Sequence, residues 1–180
     1  MSHPTDDAVI ALHLAVCRRF GAAVGSAHGQ WDRRSPCDEW DARAVLEHVI
    51  GFHDVLVLRP LGLKPERPRE DPQLRWQQTY RALADALVPG MQLDTAGLIP
   101  KLTRDVLVHT WDLARAVGAD DRLEPEWCEL CCADLPADSA GLVASGMFKA
   151  PVALDDAESD AQARLLALVG RDPSWRPAAL

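Results

Sequence analysis

The chain lacks the marks of several protein classes, and each shortage narrows what it does. Lys and Arg number 19 against 27 Asp and Glu, giving a net charge of -8 and an isoelectric point near 5.1. No basic stripe is present, so a nucleic-acid backbone is not an expected partner. No apolar run approaches the ~18 residues that a membrane span needs. The opening MSHPTDDAVIALH has no basic region followed by an apolar one, so neither signal peptide nor anchor is expected and the expected location is the cytoplasm. Cysteine is scarce and odd in number, at five. Cys128, Cys131 and Cys132 in WCELCC offer half of a zinc ribbon, but no second CxxC pair completes the tetrahedron. Free thiols that fill small buried spaces fit this spacing and a reducing compartment. No stretch alternates apolar and polar residues with β-branched enrichment for long enough to make a sheet. What is left is 180 residues, 48% hydrophobic and 26% charged, enough for one domain with a real core and no disulfides.

The periodicity is helical. A first helix is expected from about Asp6 to Ala27, capped by Thr5, with Val9, Leu12, Val16, Phe20 and Ala23 inward. His13 and His28 have no acidic or histidine partner at helical spacing on the same apolar face and are read as surface or rim residues. The turn-rich WDRRSPCDEWD ends at Asp41, a cap for a second helix reaching Val57 or Leu58 before Pro60. Ala44, Val45, His48, Val49, Phe52 and Leu56 mark its inner face, whereas Glu47 and His53 fall on neighbouring faces. After the proline-rich RPLGLKPERPREDP, a third helix is expected over about Pro72 to Val88, with Leu74, Tyr80 or Ala84, Leu83 and Leu87 inward. Shorter helices are expected at about Glu126 to Leu135, Asp138 to Ser145 and Ala157 to Val169. The architecture is an all-α bundle of four main helices over about residues 6–118, with a short helical C-terminal appendage over about 119–180, together one domain.

The fourth main helix, KLTRDVLVHTWDLARAVG from Lys101 to Gly118, organises the rest. Pro100 suits its first turn and Gly118 its C-terminal cap. Asp105 and His109 stand one turn apart, beside the apolar stripe Leu102, Val106, Leu113 and Val117, so both face the core. A polar group left unpaired in an apolar interior costs roughly 2–7 kcal/mol, so the pair needs a metal, a salt bridge or water, or at least each other. His48 is an imidazole in the same position on the second helix, either a hydrogen-bonded core residue or a ligand.

Three pieces, PCDEWDARAVLEHVIG, DVLVHTWDLARAVG, and MFKAPVALDDAE with LLALVGRDPSW, resemble the metal-binding domain of mycothiol-dependent maleylpyruvate isomerase, within the DinB-like four-helix bundles. The resemblance runs from the first helix to Pro177 and is greatest to short actinobacterial proteins that lack the isomerase's further domain. It implies a DinB-like bundle in which His48, Asp105 and His109 hold one divalent cation, zinc first and nickel or iron as alternatives, with a coordination position open. The isomerase has Glu where this chain has Asp105. The resemblance further implies an enzyme that activates a low-molecular-weight thiol such as mycothiol for transfer to, or isomerisation of, a small electrophile. The implied partners are that thiol and a small-molecule substrate, with a homodimer left open. Because the isomerase's active site is completed by the further domain, isomerase activity itself is not expected. A hydrolase using metal-bound hydroxide and a non-catalytic binding module are the alternatives. Arg104, Arg115 and Arg43 are candidates to hold an anionic group, and Asp112 is a candidate acid or base or an outer-shell carboxylate.

Overall fold

Acidic residues open most of the helices. In the computed structural model, which describes residues 6–135, 140–144, 148–154 and 159–178, Asp6 and Asp7 occupy the first turn of α1 (Asp6–Gly25), where the helix dipole favours negative charge. The expected Thr5 cap lies outside the described residues. Asp41 accepts the backbone N–H of Ala44 at 2.7 Å and starts α2 (Ala42–His53). Asp71 does the same through Leu74 at 2.9 Å for α3 (Pro72–Ala86), and Asp94 through Gly97 at 2.9 Å for α4 (Thr95–Val117). Each such cap contributes about 1 kcal/mol. Beyond the left-handed Gly118 that closes α4 come α5 (Pro125–Ala133), α6 (Ala140–Ala144) and α7 (Ala161–Leu168). The expected limits of the last two at Asp138, Ser145 and Ala157 lie outside the described residues.

Several boundaries differ from the sequence reading. α4 begins at Thr95 because Asp94 supplies the cap, which leaves Pro100 inside the helix and not in its first turn. α1 and α3 stop at Gly25 and Ala86, short of Ala27 and Val88. α2 does not stay α-helical to Leu58; it widens after His53 into a π-helical turn, Asp54–Leu58, in which Arg59 N–H donates to the Asp54 carbonyl at 2.9 Å.

Helices α1 and α2 each pack against both α3 and α4, so the four close into a ring around one core. The molecule is an all-α bundle with no strand among the described residues. α4 is buried nearly all round, from Leu102 to Ala114. Its Leu107 and Trp111 meet Phe20 of α1, Leu46 of α2 and Leu83 of α3 in one core cluster, each contributing roughly 1.5–3 kcal/mol by its burial. On α3 the buried stripe is Pro72, Trp76, Thr79 and Leu83, with Trp76 edge-on to Phe20 at 4.7 Å. Leu74 lies off that stripe and is exposed, contrary to expectation. On α1 the buried stripe passes through Ile10, His13, Cys17, Phe20 and Val24. His13 is therefore a core residue and not a rim residue, while His28 is exposed as read.

The same apolar content makes α1 long and hydrophobic enough to cross a membrane by length and composition, which corrects the expectation that no such run exists. Here its apolar side packs against α3 and α4. The appendage is a second layer in which α5 packs on α7. Gln162 accepts from Leu123 N–H at 2.8 Å and donates to the Asp121 carbonyl at 2.9 Å, tying α7 to the segment that leaves α4.

Candidate metal centre

His109 is fixed from behind. Its Nδ1–H donates to Oδ2 of Asp112 at 2.8 Å, one helical turn on, and this selects the tautomer whose Nε2 points forward with a free lone pair. Asp112 is fully buried and is held in turn by Arg171, whose Nε reaches Oδ1 at 2.9 Å and whose Nη2 reaches Oδ2 at 3.0 Å. In front of His109 stand Asp105 on the same helix and His48 across the groove on α2. The donor atoms of His48, Asp105 and His109 all lie within 4.8 Å of one another.

The spacing within this trio is informative. His48 Nε2 is 3.3 Å from Oδ2 and 3.4 Å from Oδ1 of Asp105, and His109 Nε2 is 3.5 Å from Oδ1. Charge-assisted hydrogen bonds are shorter, about 2.7–2.9 Å. Two ligand atoms placed tetrahedrally about 2.0–2.2 Å from one ion stand roughly 3.3–3.6 Å apart. Oδ2 of Asp105 is moreover buried without a hydrogen-bond partner. A cation between the three groups supplies what this oxygen lacks, so the residues fit a metal.

Electrostatics point the same way. Burial works against a charged His109, but Asp105 and Asp112 outweigh it and raise the imidazole to a pKa of about 9. Burial also opposes ionisation of Asp105, and His109 and His48 reverse that and hold the carboxyl below its ordinary range. Burial of Asp112 is likewise overcome, by Arg171 and then His109. Two buried carboxylates thus stay ionised around an imidazole that takes up a proton when no other cation is present.

The trio lies on the wall of a cleft of about 950 Å³. Trp40 stacks on His109 at 5.7 Å between ring centres and leans on His48 at 4.7 Å, while Phe52 covers the other face of His48 at 4.1 Å. The loop carrying Trp40 is held by its own backbone: Ser35 N–H donates to the Trp40 carbonyl at 3.1 Å and Ala42 N–H to that of Arg33 at 2.8 Å. Cys37 from this loop also lines the cleft, its thiol pushed up to about 11 by burial and by Asp112. Opposite, the appendage contributes Phe148, Lys149, Arg171 and Trp175. Lys149 is paired with Asp38 at the exposed rim.

The arginines singled out from the sequence do not line this cleft. Arg104 is buried against Asp134 of the segment ending α5, at 2.8 Å. Arg115 pairs with Asp121 and lies over the Trp111 ring. Arg43 is exposed. Glu47 binds Arg75 of α3 through both carboxylate oxygens. The cation that reaches the site is Arg171, which the sequence reading did not select; the GRDPSW turn that carries it has no periodic signal to mark it as inward. Gly170 beside it has φ of 77°, and a Cβ there falls 2.5 Å from Lys149 Cβ and 2.8 Å from the Ala150 carbonyl. Gly170→Ala is therefore expected to lower stability by roughly 1–3 kcal/mol, read from the denaturant midpoint, because a side chain is strained in that conformation and Arg171 follows in the chain.

No family model matches the chain, and neither does any solved structure. Among curated proteins it is 33% identical to the uncharacterized protein MT0763 of Mycobacterium tuberculosis (strain CDC 1551 / Oshkosh) and, equally, to the uncharacterized protein Rv0738 of strain ATCC 25618 / H37Rv. Each match covers 51% of this chain and 57% of the relative, so the chain spans little more than half the length of those relatives.

Proposed function

We propose that the chain is a divalent-metal-dependent enzyme of the DinB-like, mycothiol-dependent maleylpyruvate isomerase type, which activates a low-molecular-weight thiol and joins it to a small electrophile. His48, Asp105 and His109 are its metal ligands and zinc its ion. One observation carries the reading: the buried Asp105 carboxylate, one oxygen of which has no hydrogen bond, stands at ligand spacing from the imidazole nitrogens of both His48 and His109, on the wall of an open cleft. A divalent ion held there supplies Lewis acidity that keeps a thiol in its thiolate form at neutral pH.

The remaining work falls to the chain. Asp112 fixes the His109 tautomer, and Arg171 keeps Asp112 ionised and in place, so the three ligand atoms are positioned before anything binds. Trp40, Phe52, Phe148 and Trp175 give the cleft an apolar lining that excludes water from a thiolate and fits the hydrocarbon part of an electrophile. Lys149 at the rim is the group able to attract an anionic substituent, by exchanging Asp38 for it. Mycothiol is the expected thiol.

Cobalt(II) substitution tests this reading. Adding mycothiol, or a simpler thiol as surrogate, is expected to produce a thiolate-to-cobalt charge-transfer band that Asp105→Ala abolishes. A spectrum unmoved by saturating thiol refutes thiol activation, and ester or amide turnover without any thiol supports a hydrolase instead.

A further inference from the structure

We propose that His13, Cys17 and His53 form a second metal site, separate from the cleft, that takes one monovalent thiophilic cation, copper(I). Their donor atoms converge within 4.8 Å, and all three residues have zero solvent exposure. α2 thus sends one imidazole to each of two places: His48 toward the cleft and, five positions on, His53 toward α1.

A count of protons carries the inference. His53 Nδ1–H donates to the Val49 carbonyl at 2.7 Å, so a neutral His53 has no proton on Nε2. The single hydroxyl proton of Thr103 is given to the Ile99 carbonyl at 2.8 Å. Toward His13 the Thr103 oxygen therefore accepts, Nδ1 of His13 carries the proton of that 3.0 Å bond, and Nε2 of His13 is also bare. These two bare nitrogens face each other at 3.1 Å. Cys17 Sγ lies 3.6 Å from one and 3.9 Å from the other, and its one weak S–H serves at most one of them. Protonating a ring is opposed by burial, which pushes both imidazoles below their ordinary value, and among the described residues no carboxylate is hydrogen-bonded to either. The cluster is one cation short.

Its dimensions fit an ion. With metal–nitrogen and metal–sulfur distances of about 2.0 and 2.3 Å, the three separations correspond to angles of roughly 100°, 115° and 130° at the metal, a flattened trigonal arrangement. Among the described residues no fourth His, Cys, Asp or Glu joins the group, whereas structural zinc takes four ligands. One thiolate with two neutral imidazoles neutralises a monovalent ion; a divalent one leaves a net positive charge in the core, and among the described residues no carboxylate is bonded to the cluster to offset it, Asp105 and Asp54 acting on His53 only from a distance. Soft sulfur and imidazole ligands suit copper(I). On binding, the Cys17 S–H bond breaks, sulfur bonds the metal, and the proton passes to solvent, with no change of oxidation state. The π-helical turn starts directly after His53, and such turns recur beside functional sites.

The α5 cysteines compete for soft ions, so the test uses the full chain with Cys128→Ala, Cys131→Ala and Cys132→Ala as background. Under anaerobic conditions, copper(I) buffered by bicinchoninate is expected to bind at one equivalent, with copper-edge absorption showing one sulfur and two nitrogen ligands. Adding Cys17→Ala or His53→Gln should weaken binding by 100-fold or more, and adding His48→Ala should leave it unchanged. Helical circular dichroism and a cooperative melt identify variants that are folded. If none is, the parent alone decides: a rise in its melting temperature with one equivalent of copper(I), together with that ligand set, supports the site. Failure of the parent to withhold copper(I) from the chelator, affinity unmoved in a folded Cys17→Ala protein, or a metal shell without sulfur overturns it. None of these readouts depends on the divalent site.

Discussion

His109→Ala protein, purified and dialysed beside the wild type, is expected to retain less than a tenth of the wild-type zinc, and His48→Ala and Asp105→Ala to behave alike. Losing an outer-shell partner typically weakens metal affinity about 10–100-fold, and removing one of three protein ligands should cost more than that. The paired control is His53→Ala. His53 is on the same helix as His48 but faces His13 and Cys17, so its loss should leave the zinc in place. Elemental analysis decides. Wild-type stoichiometry in the His109→Ala protein would falsify the ligand assignment, and loss of zinc in the His53→Ala protein would move the divalent ion to the other cluster.

The second large effect is on stability. Asp112→Ala removes the only carboxylate, among the described residues, that Arg171 is bonded to, and Arg171 is 5% exposed. A buried charge left alone costs about 3–5 kcal/mol, so the urea midpoint should fall by that amount divided by the unfolding slope. Asp112→Asn keeps one oxygen able to accept from Arg171 Nη2 and His109 Nδ1 but turns an amide N–H toward Arg171 Nε and removes the charge, and an intermediate loss is expected. Arg171→Met separates the contributions: it leaves Asp112 with His109 alone, and its cost should not add to that of Asp112→Ala, because the two residues form one network. A loss under 1 kcal/mol for Asp112→Ala would mean that water replaces the carboxylate and that the cleft is wetter than its lining implies. Zinc affinity should also fall in this variant, by roughly 10–100-fold, since His109 is no longer held in one tautomer.

What could be read from the sequence was whatever is local. Asp41 and Gly118 declare their helix ends because a cap acts within four residues, and both act as read. Asp105 and His109 declare a shared face because one turn separates them, and His48 because the apolar residues around it repeat at helical spacing; the structure brings all three together. His13 was misread for the same reason. Its partners are His53 and Thr103, on two other helices, and nothing within its own helix announces them. Leu74 was misassigned because α3 turns its stripe to Trp76, whose partner Phe20 is on α1. Arg171 is the extreme case, a residue in an aperiodic turn whose role exists only after the appendage has docked. The start of α4 was set too late because proline is a strong signal for a first turn, but Asp94 offers a side-chain acceptor earlier and the helix takes it.

The pairing of Arg171 with Asp112 also imposes an order of events during synthesis. Asp112 and Arg171 are 59 residues apart in the chain. At roughly 5–20 residues per second, the ribosome delivers the arginine several seconds after the aspartate, by which time the four helices of the bundle have all been made. During that interval the nascent protein holds a core carboxylate whose remaining hydrogen-bonding companion, among the described residues, is the neighbouring imidazole of His109. A chain that stalls in the appendage is left in that state, with its helices assembled and the back of the candidate metal centre open.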